Sequence, residues 1–140
     1  MNSLQAIKKE SEMELLLQIS LKIQQLNKKM EKQFGMSLTQ WYVLNALVDL
    51  PGVSPVKLSQ VVGISPGSLT QSLKRLANKK WITIVSDHSD NRRKLISITR
   101  EGKNARDTID YKLLQIKKTL TPLLTPLDEL KKILSSSMIF

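Results

Sequence analysis

Residues 54–78 read SPVKLSQVVGISPGSLTQSLKRLAN. The pairs Ser54-Pro55 and Ser65-Pro66 carry the same device at two places. Serine is a preferred helix N-cap and proline suits the first helical position, so each pair opens a helix. The first spans Pro55 to Val62, with Val56, Leu58, Val61 and Val62 as its apolar residues, and Gly63 breaks it. The second spans Pro66 to Asn78 and sets Leu69, Leu73 and Leu76 on one stripe. Two short helices joined by Gly63-Ile64-Ser65 form a helix-turn-helix pattern, although an ordinary helical hairpin has the same local signature. The face opposite the leucines carries Gly67, Gln71, Lys74 and Asn78, with Thr70 and Arg75 beside it. The first turn, Ser65-Pro66-Gly67-Ser68, is small and holds no carboxylate, although helix N-termini favour negative charge.

The next residues choose between those two readings. Residues 81–85 (WITIV) and 95–99 (LISIT) are rich in β-branched and aromatic side chains, and polar, turn-forming residues 86–94 (SDHSDNRRK) separate them. A two-stranded hairpin directly after a helix-turn-helix makes a winged helix, with the hairpin as the wing. Upstream, Ser11-Glu12-Met13-Glu14 fits a capping box. Leu15, Ile19, Ile23, Leu26, Met30 and Phe34 then follow helical spacing up to Gly35. Leu4 and Ile7 either extend this helix or belong to an arm. Ser37-Leu38-Thr39-Gln40 is a second capping box, opening a helix with Trp41, Val43, Leu44 and Leu47 that stops before Pro51-Gly52. Downstream, Thr99 caps a long helix to about Leu120, carrying Ala105, Ile109, Leu113, Ile116 and Leu120. Pro122 ends it, and Thr125-Pro126 opens a last helix containing Leu127, Leu130, Ile133 and Leu134. The fold class expected is mainly α with a small β-hairpin wing.

Composition limits the chemistry. The chain has 140 residues, no cysteine and one histidine, His88, which excludes thiol redox chemistry and argues against a multi-histidine zinc site. No apolar run is long enough to span a bilayer and residues 1–16 fit no signal peptide, so the expected location is the cytoplasm. There is no nucleophile–base set, phosphate-binding glycine loop or metal-ligand cluster, and Asp87 and Asp90 sit in a turn beside arginines. The expected protein is not an enzyme and takes no cofactor. Of the net charge of +10, residues 54–106 hold +8, with eleven basic and three acidic side chains, while 1–53 and 107–140 hold +1 each. A basic centre in a near-neutral frame points to a polyanion bound at one place, against the alternative of a merely soluble surface.

The chain resembles the MarR family of bacterial transcriptional regulators in nearly its whole length. The residues that carry the likeness are MSLTQWYVLNAL (36–47), VKLSQVVGISPGSLTQSLKRL (56–76) and SDHSDNRRKLISITREGK (86–103). The most specific part is Asp90-x-Arg92 followed by Thr99-Arg100-Glu101-Gly102. Three features depart from the family pattern. Lys80 stands where a glycine is usual after the second helix; a left-handed lysine costs roughly 1 kcal/mol, so a different helix ending is expected. Ile84 and Val85 stand where an arginine is common, and His88 replaces a common proline.

The resemblance implies a homodimer in which residues 1–36 and 100–140 supply the dimer helices and 37–99 form the DNA-binding lobe, one structural domain in all. The partner it implies is double-stranded DNA with a pseudo-palindromic operator. The small first turn of helix 66–78 then has a reason: it enters the major groove between phosphate backbones, where free N–H groups and the hydroxyls of Ser65 and Ser68 donate to phosphate and a carboxylate would repel. Gln71 suits adenine, Thr70 a thymine methyl or phosphate, and Lys74 and Arg75 guanine or phosphate. By resemblance Arg92 at the wing tip enters the minor groove, with Asp90 orienting it or tying the turn, and Arg93 and Lys94 contact phosphate. Met30, Phe34, Met36, Trp41 and Tyr42 gather near the first helix junction. Core packing accounts for them, and the alternative is a pocket for a small aromatic ligand (Met30, Phe34, Trp41, Tyr42), since MarR-like proteins often bind such ligands. Three readings stand: a ligand-responsive repressor, a constitutive architectural DNA-binding protein, and a winged-helix protein-interaction module. The intact basic face disfavours the third.

Overall fold

The computed structural model describes residues 11–136. Helix α1 (Glu12–Phe34) starts at Ser11, whose hydroxyl accepts from the Glu14 N–H, and stops at Gly35. Helix α2 (Leu38–Val48) has the complete capping box: Ser37 Oγ accepts from the Gln40 N–H and Gln40 Oε1 from the Ser37 N–H. Helices α3 (Pro55–Val62) and α4 (Pro66–Asn78) open at Ser54 and Ser65 with proline in the first turn. Gly63 turns the chain between them at φ 68°, a conformation that costs glycine nothing. Strands β1 (Ile82–Ser86) and β2 (Lys94–Ile98) pair antiparallel from Ile82↔Ile98 to Ser86↔Lys94. Helix α5 (Arg100–Leu120), a 3-10 turn (Thr121–Leu123) and α6 (Leu124–Leu134) complete the described chain. The opening segment with Leu4 and Ile7 lies outside the described residues.

The core sits in the middle of the chain. Met36, Leu44, Leu47, Leu58, Leu76 and Ile96 are fully buried, and Met30 and Ile109 bring the end of α1 and the first half of α5 onto it. The outer parts of the terminal helices gain no such cover. Leu15, Ile19, Ile23 and Leu26 remain 45%, 55%, 45% and 37% exposed, and no residue of α6 is buried. The stripe on α1 is therefore helical as its spacing predicts, but only its last turns pack within one chain.

Four details differ from the sequence-based expectation. The strands run 82–86 and 94–98 rather than 81–85 and 95–99, because the Trp81 N–H closes the turn that follows α4 and Thr99 is the N-cap of α5. The hairpin also has a third member: Val53 and Ile96 exchange backbone hydrogen bonds at 3.1 and 2.8 Å, forming a bridge on the outer side of β2. The last helix starts at Leu124, where the Leu124 N–H donates to the Thr121 carbonyl, so backbone rather than the Thr125 side chain makes the entry. Lastly, Lys80 does take the left-handed conformation, at φ 62°. The Lys80 N–H donates to Ala77 O and the Trp81 N–H to Leu76 O, the two bonds of a Schellman ending. The lysine thus takes a position better suited to glycine and bears the steric cost.

Candidate nucleic-acid interface

Helix α4 is held by its inner face. Leu69, Leu73 and Leu76 are at most 5% exposed, and burying each contributes about 1.5–3 kcal/mol. Its outer face is bare: Ser65, Ser68, Thr70, Gln71, Lys74 and Arg75 are all exposed. The first turn satisfies most of its own donors. The Ser68 N–H reaches Ser65 Oγ at 3.4 Å, the Leu69 N–H reaches Ser65 O at 2.9 Å, and Pro66 has no N–H. The Gly67 N–H is left without an acceptor among the described residues, beside a position with no side chain. The Thr70 hydroxyl donates to Pro66 O at 2.8 Å, which uses its proton within the helix. Gln71 and Lys74 have no side-chain hydrogen bond or ion pair among the described residues. Arg75 differs: its guanidinium pairs with Glu31 of α1 at 3.3 Å.

The wing is braced against the end of α4. The Thr99 hydroxyl donates to Lys80 O at 2.7 Å and accepts from the Gly102 N–H at 3.0 Å, while the Thr99 N–H donates to Trp81 O at 2.9 Å. The first turn of α5 passes so close that a Cβ on Gly102 would overlap the Trp81 carbonyl. At the tip the carboxylates serve the backbone. Asp90 Oδ1 accepts from the Arg92 N–H at 3.0 Å, so Asp90 ties the turn. Asp87 accepts from the Ser89 N–H and hydroxyl, which hold its carboxyl below the ordinary value, and the Arg93 charge acts in the same direction. Arg92 and Arg93 project with no side-chain hydrogen bond among the described residues, and Lys94 Nζ lies 3.4 Å from Ser86 Oγ across the strands.

The four residues read as a possible ligand cluster do not share one cavity in the single chain. Met30 is core. Phe34 lines a recess with Trp81, Ile109 and Lys112, whose ammonium lies 4.4 Å from the Phe34 ring centroid. Trp41 and Tyr42 line a separate open recess of about 350 Å³ with Ile23, Asn27, Leu38 and Ile64.

Two polar clusters escaped the sequence reading. One joins α1 to α4 through Glu31, Arg75 and Lys79. The other joins α2 to α5: the Trp41 indole N–H donates to Asp110 Oδ1 at 3.0 Å, Lys117 Nζ donates to the same oxygen at 2.9 Å, and Arg106 reaches Asp110 Oδ2 at 3.6 Å and Asn45 Oδ1. Burial alone would raise the Asp110 carboxyl, but the hydrogen bonds from Lys117 and Trp41 and the charges of Lys117 and Arg106 outweigh it, and it lies below the ordinary value. Partners 69 residues apart, as Trp41 and Asp110 are, leave no local sequence signal. No group of His, Cys, Asp or Glu among the described residues is arranged to hold a metal ion.

A tandem helix pair followed by a basic hairpin braced on its second helix defines a winged helix-turn-helix protein. Residues 34–93 match the family model described as the MarR family. By this match and the relatives below, the middle of the chain is similar to the MarR family. It is 31% identical over 78 residues to the HTH-type transcriptional regulator SarZ of Staphylococcus epidermidis, a match covering 56% of this chain and 53% of that protein, so the chain spans about half that relative's length. Among solved structures, the S. aureus MepR–DNA complex superposes with a TM-score of 0.77 at 22% identity, over 91% of this chain and 98% of MepR. The PcaV regulator from Streptomyces coelicolor, solved with its natural ligand, gives 0.71 at 22% identity over 85% and 91%. At these identities the structural likeness is one of fold.

Proposed function

We propose that this chain is a sequence-specific, double-stranded DNA-binding transcriptional regulator, working as a homodimer in the cytoplasm as a repressor relieved by a small aromatic ligand. The observation that carries the DNA reading is the outer face of α4: an acid-free first turn whose Gly67 N–H, like the Gln71 and Lys74 side chains after it, has no partner among the described residues, on a helix pinned from behind by three leucines. Helix α4 enters the major groove, where Gln71 reads a base edge and Ser65, Ser68, Lys74 and the Thr70 methyl contact backbone or bases. Arg92 reaches the flanking minor groove, with Arg93 and Lys94 on phosphate, and Asp90 holds the turn that aims Arg92. Arg75 contributes to this surface only when it leaves Glu31.

The bare apolar faces of α1 and α6 support the dimer, with residues 1–36 and 100–140 as the dimerising parts and 37–99 as the DNA-binding lobe. Two-fold symmetry then requires a pseudo-palindromic operator with half-sites about 10 bp apart. The Trp41–Tyr42 recess, opening beside the exposed Ile23 of α1, supports ligand response at the join between dimer helices and lobe. No helix among the described residues is long and apolar enough to cross a membrane. The test is selection from a random-sequence duplex library together with sedimentation at micromolar concentration. Recovery of a two-fold-related motif by a dimer is the expected result; a monomer, or binding without any recovered motif, overturns the reading.

A further inference from the structure

The last turn of α1 and the C-terminal half of α4 meet through a ladder of two rungs. Arg75 donates to Glu31 Oε1 at 3.3 Å, and one turn further along both helices Lys79 Nζ donates to the Gly35 carbonyl. Glu31 lies in the last turn of α1 with Gly35 as its C-cap, and Arg75 lies in the last turn of α4 with Lys79 as its C-cap, so the two rungs join the ends of the two helices. The two α1 partners are themselves joined, since the Gly35 N–H donates to Glu31 O at 2.9 Å. The Lys79 ammonium also lies 3.5 Å from Oε1 of the buried Gln40 and 4.7 Å from the Trp81 ring centroid. Burial pushes the Lys79 pKa down, Arg75 adds to that, and Glu31 opposes it. One ammonium thus holds together the end of α1, the capping box of α2, the end of α4 and the approach to β1.

We propose that this ladder fixes the angle between the recognition helix and the dimer helix, and so sets which half-site spacing the dimer accepts. Glu31 and Lys79 are positioning residues for DNA selection, and neither contacts DNA. The inference rests on the DNA-binding dimer proposed above. Three leucines fix α4 within its own lobe, but the lobe must also be fixed relative to α1, which runs to the partner chain. The ladder supplies that second constraint directly from α1 to α4, without passing through the core. In a two-fold dimer any rotation of the lobe at the end of α1 occurs twice, in opposite senses, so slack in the ladder changes the distance between recognition helices by twice its value in one chain.

The test uses the full chain, the tightest duplex that the wild type recovers from random-sequence DNA, and the same duplex with one base pair inserted at or removed from its centre. The quantity read is the ratio of affinities for original and altered spacing, in which overall charge effects cancel. Glu31→Ala and Lys79→Met are each expected to reduce that ratio by about threefold or more, the scale of a lost partly exposed ion pair; Lys79→Met leaves the salt slope of binding unchanged, whereas Glu31→Ala, which frees Arg75 for phosphate, raises it by up to about two in the dimer. A wild-type ratio in both variants overturns the proposal. So does a salt slope lowered by about two in Lys79→Met, which would make Lys79 a phosphate contact in each chain. If Lys79→Met does not melt cooperatively by circular dichroism, Glu31→Ala decides alone, its side chain being 40% exposed. Failure of the wild type to recover any duplex overturns the DNA-binding reading and the ladder with it, whereas a recovered duplex with unaltered spacing preference removes only the ladder.

Discussion

Replacing Gly102 with alanine sets a methyl group against the Trp81 backbone. The added Cβ would lie 2.9 Å from the Trp81 carbonyl carbon, closer still to its oxygen, and 3.0 Å from Ile98 Cγ1. Ordinary carbon–oxygen contacts lie at about 3.3–3.6 Å, so the first turn of α5 must retreat by roughly 1 Å. Backbone cannot swing aside as a flexible side chain does. The retreat strains three bonds at once: Thr99 Oγ1 to Lys80 O, Thr99 N–H to Trp81 O, and Gly102 N–H to Thr99 Oγ1, now 2.7, 2.9 and 3.0 Å. Losing two of them costs about 1–3 kcal/mol, and the overpacking itself about 1–3 kcal/mol. Alanine's better helix propensity returns up to about 1 kcal/mol. The expected net destabilisation is about 2–4 kcal/mol, or on the order of 10 °C in Tm for a chain of this size. Thermal and urea denaturation followed by circular dichroism measure it. An unchanged or raised Tm would refute the close approach and with it the account of how the wing is braced on α4.

Gly67→Ala should behave in the opposite way, since nothing lies within 4 Å of the added Cβ: stability rises by up to about 1 kcal/mol, while duplex binding in a mobility-shift titration weakens several-fold because the first turn can no longer approach as closely. Lys80→Gly should stabilise by about 0.5–1 kcal/mol in urea titrations, relief of the left-handed lysine being offset in part by a more flexible unfolded chain. Asp110→Asn should destabilise by about 1–3 kcal/mol at pH 7. Because the Asp110 carboxyl is depressed in the fold, its contribution is present above 3.8 and is lost as pH falls through the lower folded value, so wild-type and variant stabilities measured across pH should converge only below 3.8.

The elements that declare themselves through neighbours in sequence were legible. Ser54-Pro55, Ser65-Pro66 and Ser37-x-x-Gln40 carry their capping chemistry within four residues, and the leucines of α4 carry their burial in their spacing. The departures arise where two constraints compete or where partners are distant. Lys80 has poor intrinsic preference for its conformation, yet the Schellman bonds and the Thr99 hydroxyl on its carbonyl hold it there. Val53 joins the wing across 43 residues, as counted from its bridge to Ile96, and Arg75, a surface residue by local pattern, is claimed by Glu31. The apolar stripe of α1 is helical as its spacing predicts, but a single chain covers only its last turns. Phe34 and Trp41, near neighbours in sequence, line separate recesses, which spacing alone does not reveal.

In the docking proposed here α4 reads sequence while the wing supplies reach and charge. Affinity against salt concentration separates the two roles, measured for a duplex recovered by selection and for a random duplex, in wild type, Gln71→Ala and Arg92→Ala. Gln71→Ala should narrow the gap between the two duplexes by about 1–3 kcal/mol with little change in salt slope. Arg92→Ala should weaken both, leave any residual preference for A·T-rich flanks, and lower the slope by about one for each phosphate neutralisation lost, up to about two in the dimer. If Gln71→Ala instead weakens both duplexes equally while Arg92→Ala affects only the selected one, the two elements have exchanged roles and the docking proposed for this fold is wrong.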